Sequence, residues 1–255
     1  MIIARFDDYT LIMVHIPKAA GSSLCLTLRR YRQSGQSWNE YLQIDEGVDQ
    51  THSALYYPYL RPHLPIKTEG GSTTEQRKTR VLISVRNPYD RLYSAYRFSQ
   101  RTQHFRRRGI DRHPRIAWFA KPFSVVVKRC LTHWVKCYTQ AVNRLQTLEP
   151  VGIHFCPMWC FVTDQHKRIR ADHILRQERL EADFARFCHE LGWSSSSVIV
   201  SRSTTPREPA PAYAYLRQYD RQMIELVNRL YKKDFELFGY TMLDPERFPE
   251  TLSTS

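Results

Sequence analysis

Apolar residues along the chain gather in short runs that alternate with longer stretches of helical spacing. TLIMVHI, residues 10–16, is such a run and stops at Pro17; the spacing in LCLTLRRY then predicts a helix over about 22–33. VLISV, residues 81–85, is rich in β-branched residues and is closed by Asn87-Pro88, the mark of a parallel strand buried on both faces. From Pro88, YDRLYSAYRF brings Leu92, Tyr93 and Tyr96 round at helical intervals. Residues 118–149 read mostly helical, and GIHFCPMWCFV reads as a strand or a buried loop. HILRQERLEADFARFCHELG reads as a strand running into a helix, with Leu180, Phe184, Phe187 and Leu191 on one apolar face. A last long helix is expected over about 212–236. Strands alternating with helices predict an α/β fold, a central parallel sheet flanked by helices. One domain is expected over residues 1–243, with 244–255 a loosely held tail.

Composition narrows this picture. Among 255 residues, 42% are hydrophobic and 13% aromatic, enough for a substantial core. No run of about 18 apolar residues predicts a membrane-spanning helix. MIIARFDDYT carries acidic residues where a signal peptide needs its apolar stretch, so a cytoplasmic protein is expected. The net charge of +13 calls for an anionic partner: nucleic acid, a membrane surface, an acidic polymer or a multiply charged nucleotide. RTQHFRRRGIDRHPR, residues 101–115, is read as an exposed basic segment. The six cysteines show no C-x-x-C spacing, and Cys156, Cys160 and His154 lack a second pair of ligands. Buried free thiols and no metal are therefore expected.

Two stretches carry chemistry. VHIPKAAGSS has the layout of a strand, a tight loop and a helix start, where anions meet backbone N–H groups. It sets Lys18, Ala19 and Ala20 ahead of Gly21, Ser22 and Ser23, at the carboxyl end of a strand, where open sheets bind ligands. The G-x-x-x-x-G-K-[ST] phosphate loop is absent, because the lysine precedes the small residues. VLISVRNPYDRLYSAY repeats the layout, with Arg86 at the strand end and Ser94 eight residues on. An arginine there can grip a phosphate with two parallel hydrogen bonds. Two such units hold two separated anionic groups, and a nucleotide with phosphates at both ends of its ribose fits.

HIPKAAGSSL closely resembles the 5′-phosphosulfate loop of sulfotransferases, in the HIPKTAGTSL form of the branch that includes carbohydrate sulfotransferases. VLISVRNPYDRLYSAYRF resembles that family's 3′-phosphate motif, R-N-P-x-x-R-L-x-S. IHFCPMWCFV is similar to its H-x-x-P segment, HILRQERLEADFARFCHELG to its E-x-L-x-x-D-F stretch, and YKKDFELFGY to its closing D-F-x-x-F-G-Y. Ala20 and Ser22 stand where threonine is frequent, and Met158 where glutamine often follows H-x-x-P. The resemblance spans roughly residues 10–240. It implies a P-loop-like α/β fold and 3′-phosphoadenosine-5′-phosphosulfate (PAPS) as sulfuryl donor, with the bisphosphate PAP as product.

On that resemblance, Lys18 partners the bridging oxygen of the breaking bond, and the amides of Gly21 to Ser23 hold the 5′-phosphate. Arg86 and Ser94 hold the 3′-phosphate, and no metal is required. Histidine is the side chain whose ordinary pKa suits a base at neutral pH. His52, in QTHSALYYP, resembles the family's base; His154 is the second candidate, and His15 is taken as structural. The expected acceptor is a carbohydrate-like hydroxyl, on an anionic glycan or a glycolipid, although small metabolites and protein tyrosine also offer hydroxyls. No nucleic-acid partner is expected. A nucleotide-dependent kinase would want G-K-[ST] and an acidic metal ligand after a strand; a nucleic-acid-binding protein would explain the charge but not two strand-end anion loops.

Overall fold

The computed structural model describes residues 2–6, 8–33, 40–43, 78–101, 121–133, 135–136, 152–163, 168–193 and 213–248. The chain forms two compact units: residues 1–86 with 158–205, and residues 87–157 with 206–255.

The first unit is built on a five-stranded sheet. Along the chain come β1 (Ile2–Arg5), β2 (Tyr9–Val14), α1 (Gly21–Gln33), β3 (Glu40–Gln43) and β4 (Lys78–Val85). The sheet order is β3-β1-β2-β4, closed by a fifth strand, β5 (His173–Arg176). β2, β4 and β5 run parallel, as the apolar runs predict, while β1 and β3 are antiparallel additions on one side. The sheet is thus mixed rather than wholly parallel. β1 pairs with β2 through a tight hairpin in which Phe6 N donates to Tyr9 O at 2.8 Å, a link short enough only for antiparallel neighbours. The β2 strand ends at Val14, two residues before the apolar run does.

Alternation along the strands sets the core. Leu11, Met13, Leu82 and Leu175 face Leu24 and Leu28 of α1 and Leu180, Phe184 and Phe187 of a helix at Leu180–Glu190. The intervening Ile12, Val14, Ile83 and Val85 are buried as well, which accounts for the unbroken apolar runs. Each such side chain contributes roughly 1.5–3 kcal/mol on full burial. The expected strand-then-helix at HILRQERLEADF is present, with a 3-10 turn at Gln177–Arg179 between the two. Asp183, 4% exposed, ties them by accepting from Arg176 N at 2.8 Å.

In the second unit, α2 (Pro88–Arg101) covers the helix predicted from Pro88. α3 (Phe123–Val126) runs on into a π turn at Val127–Leu131, and a 3-10 turn occupies Gly152–Phe155. GIHFCPMWCFV is therefore neither strand nor loop throughout: it ends, in the first unit, in a short helix, α4 (Trp159–Val162). The helix at Leu180–Glu190 is α5 in chain order. The long helix expected over 212–236 is divided into a 3-10 turn at Ala214–Gln218, α6 (Arg221–Leu230) and α7 (Lys232–Phe238). The first break lies at Asp220, which is extended and whose carboxylate caps Met223 N at 3.0 Å. The second lies at Tyr231, whose hydroxyl donates to Phe155 O at 2.8 Å. Tyr89 is the hub of this unit: its ring meets those of Tyr219 and Phe235, and its oxygen bonds Asn228 and accepts from Leu243 N. Burial pushes the Tyr89 phenol up to about 12.

Candidate functional site

The parallel pairing of β2 with β4 brings the two motif loops to the same edge of the sheet. The last register pair is Val14 with Ile83, so His15–Ala20 leave β2 beside the end of β4, where Arg86 follows Val85. Arg86 Nη1 donates to the Lys18 carbonyl at 3.3 Å. The two loops predicted from separate motifs are joined by that contact.

The loop's shape follows from its proline. Ala19 N donates to Ile16 O at 3.3 Å, closing a four-residue turn with Pro17 in its second position. A proline there fixes φ near −65° and leaves the next residue to turn left-handed, a place that ordinarily favours glycine. Lys18 occupies it with φ 67°, and Ala20 is left-handed too, with φ 66°. Each such non-glycine residue costs on the order of 1–2 kcal/mol. Left-handed residues in alternation turn successive N–H groups toward one side, the backbone habit of anion-binding concavities.

Ala20 O accepts the first bond of α1, from Leu24 N at 3.1 Å. Gly21, Ser22 and Ser23 therefore make the first turn of a helix, whose N–H groups have no carbonyl within the helix to bond. That turn holds no acidic side chain of its own to offset the positive end of the helix dipole. Lys18, Ser22 and Ser23 are half-buried, whereas Ala19 is fully buried. An N–H-rich turn and a lysine fit a phosphate or phosphosulfate group, and Arg86 sets a second cation beside that loop.

Ser94 lies two turns into α2, in the second unit, and is half-buried there. Arg91, the second arginine of its motif, is only 2% exposed. His52 and residues 102–115 of the basic segment lie outside the described residues. His154 is half-buried with its ring 4.8 Å from that of Phe98. Cys130, Cys156, Cys160 and Cys188 are buried free thiols. Among the described residues no group of three or more metal-ligating side chains gathers, and no helix is long and apolar enough to cross a membrane.

The remaining resemblance segments have structural work. Asp183 links β5 to α5 and is paired with Arg179 at 3.0 Å. In DFELFGY, Gly239 takes φ 63° after α7 and Tyr240 N donates back to Phe235 O at 3.1 Å, a glycine-stopped helix end. Met158 is fully buried.

Two features escaped the sequence analysis: the left-handed Lys18, for which Pro17 was the available signal, and the packing of His15 on Gly21. His15, expected to be buried structure, is half-buried, and its ring lies against the first residue of α1.

Neither a search of curated proteins nor one of solved structures returns a match. The sulfotransferase family model matches residues 3–241, nearly the whole chain. The chain belongs to the sulfotransferase family.

Proposed function

We propose that the chain moves a sulfuryl group from PAPS to an acceptor hydroxyl by in-line displacement. The observation that carries this reading is the joined pair of loops: a left-handed lysine at a helix start, with Arg86 bound to its carbonyl. The donor supplies an activated sulfuryl group; everything else falls to positioning and electrostatics, as in phosphoryl transfer. The amides of Gly21 to Ser23, with Ala19 and Ala20 shaping the loop, hold the 5′-phosphate. Lys18 neutralises the charge that collects on the bridging oxygen as the bond to sulfur breaks. Arg86 takes the 3′-phosphate, and Ser94 is assigned to the same group by its place in the motif. His52 removes the proton of the acceptor hydroxyl as its oxygen attacks sulfur. No step in this scheme requires a metal, because the sulfuryl group carries less charge than a transferring phosphoryl group.

The excess charge of +13 favours an anionic acceptor, a glycan or glycolipid, over a neutral metabolite. The cytoplasm is the compartment proposed for the reaction. Thermal unfolding with adenosine 3′,5′-bisphosphate, ATP–Mg²⁺ or an oligonucleotide tests the donor. A ligand at a hundred times its Kd stabilises by about 2.7 kcal/mol, so the bisphosphate should raise Tm by several degrees. An equal shift with ATP–Mg²⁺, or none with the bisphosphate, overturns the reading. In sulfuryl-transfer assays, His52→Ala should lower kcat by roughly a hundredfold or more while bisphosphate affinity changes little; near-normal turnover removes His52 from the scheme.

A further inference from the structure

Gly21 is not left-handed, so conformational freedom does not explain it. Its neighbour does. A Cβ built on Gly21 would lie 2.2 Å from His15 Cδ2 and 2.9 Å from Nε2, inside van der Waals contact. The edge of the imidazole is thus seated directly on the backbone at the start of α1.

The sheet register sets a small residue beside His15. Met13 and Leu82 share the face that carries α1, and continuing the β2–β4 register sets His15 beside Ser84 on that face. Neighbouring strands lie about 4.8 Å apart, so the two positions are adjacent. Ser84 is the one polar residue of VLISV, is fully buried, and its hydroxyl has no partner among the described residues. It is the smallest side chain in a run otherwise made of Val, Leu and Ile.

We infer that His15 is a positioning residue for the anion loop, a wedge between the sheet and Gly21 that holds residues 17–21 in their strained form. Left-handed Lys18 and Ala20 persist only where their surroundings impose them. Arg86 holds the loop at the Lys18 carbonyl, and His15 holds it at Gly21. The inference rests on the loop being the anion cradle proposed above.

The test exchanges volumes. Calorimetric titration with adenosine 3′,5′-bisphosphate is run on the full chain, His15→Ala, Gly21→Ala and the double variant. His15→Ala should weaken binding about tenfold in the native background, by freeing the loop. Gly21→Ala should weaken it further, by driving the loop off the ring. In the Gly21→Ala background the sign reverses: removing the ring relieves the clash, and the double variant should bind at least about fivefold tighter than Gly21→Ala alone. Should Gly21→Ala fail to fold, a double variant that folds and binds supports the wedge, and one that does not fold overturns it. Weaker binding from His15→Ala in both backgrounds, or no change in the native one, also overturns it. A native chain that binds no bisphosphate sinks the donor reading alone. Amide hydrogen exchange at residues 18–24 then decides about His15: about tenfold faster exchange in His15→Ala upholds the wedge, and unchanged exchange removes it.

Discussion

α1 and α2 each follow a parallel strand along the chain, yet they begin in opposite ways. α2 satisfies its own start: Asn87 Oδ1 accepts from Tyr89 N at 3.0 Å, Asn87 O accepts from Arg91 N at 2.8 Å, and Pro88 has no N–H to satisfy. Asp90 adds a negative charge to its first turn. α1 has no acid in its first turn and is entered through two left-handed non-glycine residues. A helix start built for stability is capped and neutralised, as in α2. The start proposed to meet an anion, that of α1, carries no acid in its own first turn and accepts backbone strain. Where α2 follows β4, the charge proposed for an anion belongs instead to a side chain, Arg86, just ahead of the cap.

Lys18 gives the sharpest separation of strain from charge, and the largest expected effect. Lys18→Ala and Lys18→Gly both remove the ammonium, and both should lower kcat by about 10²–10³-fold, the usual scale for losing one preorganised electrostatic contact. Nucleotide affinity should fall far less than kcat in either. Only glycine is at ease with φ 67°, so Lys18→Gly should be more stable than Lys18→Ala by about 1 kcal/mol, read from chemical denaturation. Equal stability of the two variants would show that the turn is not strained, and the contrast with α2 would collapse.

What could be read from the sequence follows where its signals are local and redundant. β4 and β5 announce themselves through unbroken or strand-then-helix apolar patterns, because burial on both faces leaves no other composition open. α2 was legible from Pro88 and the helical spacing of Leu92, Tyr93 and Tyr96 after it, since proline is at ease in a helix's first turn. β1 was missed because Ile2–Arg5 is only four residues long and becomes a strand by pairing with β2. The 212–236 helix was read as continuous because apolar spacing runs through it; its breaks come from Asp220 capping Met223 and from Tyr231 reaching Phe155. At the candidate site, the residue types Lys18, Gly21 and Arg86 were visible as motifs. The meaning of Gly21 was not, because it depends on a ring six residues earlier that only the folded chain seats there.

Adjacent substitutions at Arg86 and Asn87 supply the last and smallest contrast. Arg86→Ala removes the guanidinium that bonds the Lys18 carbonyl and is assigned to the 3′-phosphate. Bisphosphate affinity should fall by at least about tenfold, the loss of one charge-assisted pair. Asn87→Ala strips the cap from Tyr89 N and should cost about 1 kcal/mol of stability, with affinity within about threefold of the native chain. Denaturation and calorimetry on the two variants place them at opposite corners: one damaged in binding, the other in stability. If Asn87→Ala weakened binding as much as Arg86→Ala, the start of α2 would itself be part of the anion grip. The division between a helix start that binds and one that is merely capped would then have to be abandoned.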